Sequence, residues 1–369
     1  MVISLTFKKK QTMKKIFVLM ASAAVLFAAC NKMEEVNTPV DTPVETETIT
    51  VVLNPVTKTS LGAEGTTTWL ENDAVDVIHD GNKVGTLTHV GDSKFTGELT
   101  TVGLTGEVTL HYPAGVDAVP TTQPAVAGSF ADDAAILEGT VDLDVLRAGE
   151  GASLSNTTAL LKFTVAQAGD VTFEVGTAKY TVTGCETDKT YYACVAPASN
   201  AAFTARIGGY LSKKASNKAT FTANQVANLG ALPAPEVYTW GLVGQHQGWN
   251  ITNPTKMYKV ADNAYACLNI KLQSNGFKFA KTGLSDWNTS NTYFGAWKNS
   301  GSGYFNFTAE MSSGDWYGVY TNNLGGQSEN IGVSNFNNYY DVYVKIVQDA
   351  EWGQELGYTI VEHGTSMTF

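Results

Sequence analysis

Apolar residues recur at every second position through most of this chain, a period that belongs to strands and not to helices. Ala159, Leu161, Phe163 and Val165 alternate with Leu160, Lys162 and Thr164, and Val171, Phe173 and Val175 alternate with Thr172 and Glu174. Near the C-terminus Val342, Val344 and Ile346 stand opposite Asp341, Tyr343 and Lys345. Successive side chains on a strand point to opposite faces, so this pattern marks sheets with one face buried. Beyond the N-terminal apolar run no segment carries a helical stripe over eleven or more residues, and Ala134 to Leu146 comes nearest. The sequence therefore predicts an all-β fold of short strands joined by Gly, Asn and Ser turns. At 369 residues it has room for two or three domains.

The first 29 residues read as an address and not as part of the fold. Lys8 to Lys10 with Lys14 and Lys15 make a positive start, and Ile16 to Ala29 is an apolar run of 14 residues. A transmembrane helix needs about 20, so the run suits a secretory signal. It ends in Leu26-Phe27-Ala28-Ala29-Cys30. This resembles the lipobox of bacterial lipoproteins, which implies cleavage before Cys30 and lipidation of that cysteine; an ordinary signal cut after Ala29 is the alternative. Asn31-Lys32-Met33-Glu34-Glu35 follows, similar to the tag that Bacteroidetes use to export lipoproteins to the outer face of the outer membrane, or else a plain charged tether. Val36 to Glu47, with Pro39 and Pro43, is an extended spacer, so residues 30–47 form the lipidated cysteine and linker.

Charge narrows the partners. Lys and Arg total 24 against 35 Asp and Glu, and only Arg147 and Arg206 are arginines. Residues 1–29 carry five Lys and no acid, so the remainder holds 19 basic and 35 acidic side chains, a formal −16. Phosphate binding needs clustered cations, so a nucleic-acid partner is excluded. An acidic body gains nothing from anionic headgroups and would be held to the membrane by its acyl chains alone. Cys185, Cys194 and Cys267 remain. Cys185 and Cys194 flank a short connection, where either a disulfide or two small buried residues fits. No Cys-x-x-Cys or His-x-x-x-His spacing offers a metal site, and no cofactor motif is present.

Leu232-Pro233-Ala234-Pro235 interrupts the strand pattern, and the aromatic density changes there. Residues 236–369 hold 24 aromatics, whereas the first 235 residues hold 15. The earlier part, residues 48–232, carries Lys58-Thr59-Ser60-Leu61, Trp69 with Asp73, Val75, Val77 and Ile78, then His111-Tyr112-Pro113-Ala114-Gly115, Ser155 to Phe163, and Lys218 to Phe221 leading to Asn228-Leu229-Gly230. These residues resemble the fimbrillin-like lipoproteins of Bacteroidetes. The resemblance implies two consecutive β-sandwich subdomains dividing within residues 121–150. Trp69 and Tyr112 are expected to anchor the core. Fimbrillins that polymerise are cut after an Arg near the N-terminus, and this chain has none between Cys30 and Arg147, which argues for an anchored monomer or spacer over a pilus shaft.

The later part, residues 236–369, runs Trp240-Gly241-Leu242-Val243-Gly244 into Gln245-His246-Gln247-Gly248-Trp249-Asn250. Strands at Lys256 to Val260 and Tyr265 to Leu272 follow, then Gly276-Phe277-Lys278-Phe279, Ser285-Asp286-Trp287-Asn288, Tyr293-Phe294-Gly295, Asn330-Ile331 and a hairpin from Tyr339 to Ile360. This order is similar to the starch-binding modules of SusE and SusF type lipoproteins. The resemblance implies an immunoglobulin-like β-sandwich, so the whole chain is expected to be tandem β-sandwiches. It further implies a shallow site in which Trp249 and Trp287 stack on consecutive sugars and Lys278 bonds their hydroxyls, with Asn288 and Asn291 as further polar candidates. A pyranose offers apolar C–H faces to a ring and hydroxyls to directional donors, which suits that set. Trp240, in an apolar strand, reads as core. Lys278 alternates with Phe277 and Phe279 and so faces away from the core. Residues 296–329 are longer than that family shows, either an extra hairpin at the site or additional packing.

Nothing in the sequence points to catalysis. There is no Gly-x-Ser-x-Gly, His-Glu-x-x-His, phosphate-binding loop or Gly-x-Gly-x-x-Gly, and His79, His89, His111, His246 and His363 are scattered. Acid pairs such as Asp132 with Asp133 and Asp142 with Asp144 sit in loop-like sequence. The expectation is a non-enzymatic, surface-exposed lipoprotein of the outer membrane that captures polysaccharide or oligosaccharide, a starch-like α-glucan among them, beside a SusC/SusD-like importer. The alternative is a fimbrial adhesin or pilus-anchor component whose C-terminal aromatics meet protein partners.

Overall fold

The computed structural model describes residues 45–55, 69–285, 293–295, 305–307, 317–318, 320–321, 330–333, 337–349, 354–365 and 367. The alternating segments are strands, as the sequence predicts, and the fold is all-β. Cys30 and the segments on either side of it lie outside the described residues.

The first sheet comprises β1 (Glu47–Pro55), β2 (Ala74–His79), β3 (Asn82–Gly91), β4 (Lys94–Leu99) and β5 (Glu107–Tyr112), while β6 (Thr122–Pro124) leaves it and β7 (Leu137–Asp142) and β8 (Ala152–Asn156) return. A five-residue helix, α1 (Leu143–Arg147), joins β7 to β8, capped by the Asp142 carboxylate accepting from the Asp144 amide. Where the resemblance implies a sandwich, this sheet closes into a barrel of order β1-β4-β3-β2-β5-β7-β8. Closure depends on β1, which is antiparallel to β4 on one side and parallel to β8 on the other, with Leu53 opposite Ala152. Both edges are thereby paired. Val51, Leu53, Val75, Val77, Leu87, Phe95, Leu110 and Leu154 fill the interior. Trp69 donates its indole N–H to the Leu53 carbonyl at 2.9 Å and sets its ring edge-on to Phe95 and Tyr112, at 4.8 and 5.3 Å between centroids.

Arg147 braces the start of β1. Its guanidinium donates to the Glu47 carboxylate at 3.0 Å, to the carbonyls of Leu104 and Thr101 at 3.0 and 2.6 Å, and to Asp144 at 3.0 Å. The Thr101 hydroxyl also donates to Glu47. These bonds hold the Glu47 carboxyl below the usual carboxylate range, chiefly through Arg147.

The second body is a sandwich of β9 (Ala159–Val165), β10 (Gly169–Val175), β11 (Ala178–Cys185), β12 (Tyr191–Val195), β13 (Ala198–Ala201), β14 (Phe203–Ile207), β15 (Tyr210–Lys214), β16 (Ala219–Phe221) and β17 (Val226–Leu232). One sheet runs β15-β14-β10-β11-β6, facing β12-β9-β17, with β13-β16 beside them. Phe163, Phe173, Tyr191 and Phe203 pack between the layers, Phe163 and Phe173 at 5.0 Å. β6 crosses from the barrel to pair parallel with β11. Its buried Gln123 donates to the Cys194 carbonyl at 2.7 Å and accepts from the Cys194 amide at 2.9 Å. Cys185 and Cys194 are buried free thiols, so of the two readings left open by the sequence the structure takes the unpaired one.

The third body holds β18 (Val237–Gly244), β19 (Thr255–Ala261), β20 (Ala264–Lys271), β21 (Phe277–Lys281), β22 (Tyr293–Gly295), β23 (Phe305–Phe307), β24 (Tyr317–Gly318), β25 (Tyr320–Thr321), β26 (Ile331–Val333), β27 (Tyr339–Asp349) and β28 (Gln354–Glu362). They form one continuous sheet, order β23-β26-β21-β18-β19-β20-β27-β28-β24, with β22 also paired to β21 and β25 to β22, whose inner-facing residues pack on one another. Trp240, Leu242, Met257, Phe277, Phe279, Val342 and Tyr358 make that core. Burying each of the two phenylalanines contributes about 1.5–3 kcal/mol. Among the described residues of this part, Trp240, Tyr265, Phe277, Phe279, Tyr340, Tyr343 and Tyr358 are buried aromatics.

Candidate functional site

Two of the sequence-identified binding residues, Trp249 and Lys278, lie on the same outer face of the third body. β18 and β21 pair antiparallel, with Leu242 opposite Phe279 facing the core and Val243 opposite Lys278 facing outward. The alternation that buries Phe277 and Phe279 leaves Lys278 half-buried on the other face. Val243, Ile251 and Ala280 form a small buried cluster there, and Trp249 and Leu284 pack against it. Trp249 is half-buried, with its ring supported on an apolar floor, where its turn-like sequence suggests a freely exposed ring.

The turn is built to present that ring. β18 ends at Gly244, where a Cβ would stand 2.5 Å from the Gly276 carbonyl oxygen, so only glycine lets the two backbones approach. A short 3-10 turn, Gln245–Gln247, ends in Gly248 at φ 73°, and Trp249 follows at φ 58°. Glycine accepts that left-handed backbone freely, but a bulky aromatic does so at a cost on the order of 1–3 kcal/mol. The surroundings impose it. The Trp249 amide donates to the Gly244 carbonyl at 2.9 Å, and the Gln247 side chain takes the Asn250 amide and gives its own N–H to the Asn250 carbonyl at 2.8 Å. Asn250 in turn accepts from the Thr252 amide and hydroxyl at 3.1 and 2.7 Å. Gln245 receives the Asn275 amide at 2.9 Å, tying the turn to the loop before β21.

His246 lies beneath the turn, with Nε2 2.9 Å from the Thr255 hydroxyl oxygen and Nδ1 buried without a partner among the described residues. Burial holds its imidazole below the usual range, so it is neutral near pH 7. The floor residues Val243, Ile251 and Ala280 and the braces Gln245, Gln247 and His246 were not singled out from the sequence. Their signal is the glycine pair Gly244 and Gly248, which fixes both ends of the turn. Trp287, Asn288 and Asn291 lie outside the described residues. Trp240 is in the core at 4% exposure, with the Lys281 ammonium 5.2 Å above its ring. Among the described residues no group of His, Cys, Asp and Glu is arranged to hold a metal ion.

No protein-family model and no curated protein matches the chain. Among solved structures the chain is similar to a proposed cell adhesion protein of Bacteroides uniformis, with 14% identity over 50% of this chain and 93% of that one and a TM-score of 0.30. A fimbrial protein of Bacteroides ovatus is similar at 11% identity over 61% of this chain and 67% of that one, TM-score 0.29. A proposed cell adhesion protein of Bacteroides thetaiotaomicron is similar at 14% identity over 49% and 91%, TM-score 0.28.

Proposed function

We propose that this protein is a surface-exposed, lipid-anchored, non-catalytic glycan-binding protein. Its third body captures an oligosaccharide or polysaccharide, such as a starch-like α-glucan, and a SusC/SusD-like importer beside it takes up the captured chain. The observation that carries this reading is Trp249, a large apolar ring held in a left-handed turn, supported from below by Val243, Ile251 and Ala280, next to the strand that bears Lys278. A stable core has no need to place tryptophan in that backbone, whereas a platform for the C–H face of a sugar does. Lys278 supplies a donor for hydroxyls at the platform's side. One such site binds weakly, and many copies acting on one polymer convert weak contacts into retention.

The test is native affinity electrophoresis of residues 45–369 through gels containing starch, pullulan, dextran, xylan or mannan. Retardation by at least one polymer is expected, with Trp249→Ala abolishing it and Lys278→Ala weakening it. If no glycan slows the protein, the reading fails, and pull-down of pilus subunits then tests the adhesin alternative.

A further inference from the structure

A cleft of about 420 Å³ opens where the second body meets the third, and Trp249 does not line it. One wall is the outer surface of the β10-β11-β14 sheet and carries Thr172, Glu174, Lys179, Thr181 and Arg206. The other is the outer surface of the third body and presents Val260, Leu268, Tyr343 and Met367. The first wall is polar and cationic. Lys179 Nζ stands 3.5 Å and Arg206 Nε 3.2 Å from the same Glu174 oxygen, so on this wall one carboxylate is shared by two cations. The Thr172 and Thr181 hydroxyls lie 3.0 Å apart beside it. The opposing wall is apolar and aromatic. Behind it Asp341 is buried, hydrogen-bonded by the Tyr343 hydroxyl, the Asn269 amide and His363.

The cleft is held open by bonds between the two bodies. Arg206 Nη1 donates to the Val260 carbonyl at 2.8 Å, the Leu268 amide donates to the Tyr210 hydroxyl at 3.1 Å, and Lys214 pairs with Asp262 at 2.8 Å. Tyr210 and Tyr258 pack ring to ring at 4.7 Å. A site whose walls are already fixed loses little conformational freedom when it is filled. Its volume falls within the range of small-molecule sites.

We propose that this cleft is a second ligand site, selective for a sugar residue that bears a carboxylate, such as a uronate. The ring's C–H face would lie on Tyr343, Leu268 and Met367, its hydroxyls would meet Thr172, Thr181 and Glu174, and its carboxylate would meet Lys179 and Arg206. A neutral hexose brings no carboxylate to those cations, and a simple carboxylate leaves the apolar wall uncovered.

The test uses residues 45–369 and follows binding of glucuronate, galacturonate, glucose and acetate by calorimetry and ligand-observed NMR. One or both uronates are expected to bind at least tenfold tighter than glucose or acetate. Lys179→Ala, at a side chain that is 68% exposed, is expected to leave the circular dichroism unchanged and to weaken uronate binding tenfold or more. Thr172→Val with Thr181→Val weakens it too, and Trp249→Ala leaves it unchanged. The proposal is overturned if neither uronate binds, if glucose or acetate binds equally well, or if Lys179→Ala has no effect. Because Trp249 lies outside the cleft, loss of glycan retention at the Trp249 face leaves this outcome independent.

Discussion

Trp249 and His246 are three residues apart in one turn. A protonated His246 would carry two buried donors, one of them at Nδ1 without an acceptor among the described residues. Its folded-state affinity for a proton is lowered by burial, so the unfolded or loosened turn takes up the proton more readily. The stabilisation is therefore complete above the unfolded imidazole value of about 6.5 and is lost as pH falls below it. Glycan retention is expected to weaken severalfold between pH 7.5 and about 5.5, and His246→Asn to flatten that profile in gels run at stepped pH. Glu47 obeys the same sign in a lower window. Its carboxyl is depressed by Arg147, so its contribution is present above the ordinary glutamate value and lost as pH falls through the folded one. Glu47→Gln should lower stability at pH 7 by about 1–3 kcal/mol in urea titrations, and the gap to the parent protein should close towards pH 3.

At the scale of strands, the pairing of β18 with β21 decides whether the site exists. Gly244→Ala would push a methyl group to within 2.5 Å of the Gly276 oxygen and 2.7 Å of the Phe277 Cβ. Backbone must shift to relieve it, at about 1–3 kcal/mol, and the shift displaces Lys278 from its place opposite Val243. Reduced thermal stability together with loss of glycan retention is the expected outcome, whereas Gly248→Ala meets no neighbouring atom and carries only the strain of a left-handed backbone, about 1–2 kcal/mol. Such strands were legible because their signal is local. The alternation at Ala159 to Val165 appears as β9 with the same residues buried, and Phe277-Lys278-Phe279 divides its faces as its sequence implies. Partners far apart in sequence were not legible. Nothing in Glu47 to Pro55 announces a parallel neighbour about 100 residues later, and Thr122-Gln123-Pro124 is too short to show a period, although it pairs with β11 while the Gln123 side chain bonds both backbone groups of Cys194 on β12.

Across the whole molecule the joint between the second and third bodies matters most, because it sets the direction in which the Trp249 face points. Its key bond runs from Arg206 to a backbone carbonyl, at Val260, which no sequence pattern reveals. Arg206→Ala removes that bond and leaves Glu174 with Lys179 alone. Small-angle scattering is expected to show a larger maximum dimension for the variant, and limited proteolysis to cut faster near Leu232 to Pro235. The barrel adds a mechanical property. β1 enters it and β8 leaves it side by side and parallel. Tension between the two ends of the chain therefore pulls these neighbours past one another lengthwise, loading their hydrogen bonds together instead of opening them one after another. A barrel closed in this way resists an end-to-end pull in shear.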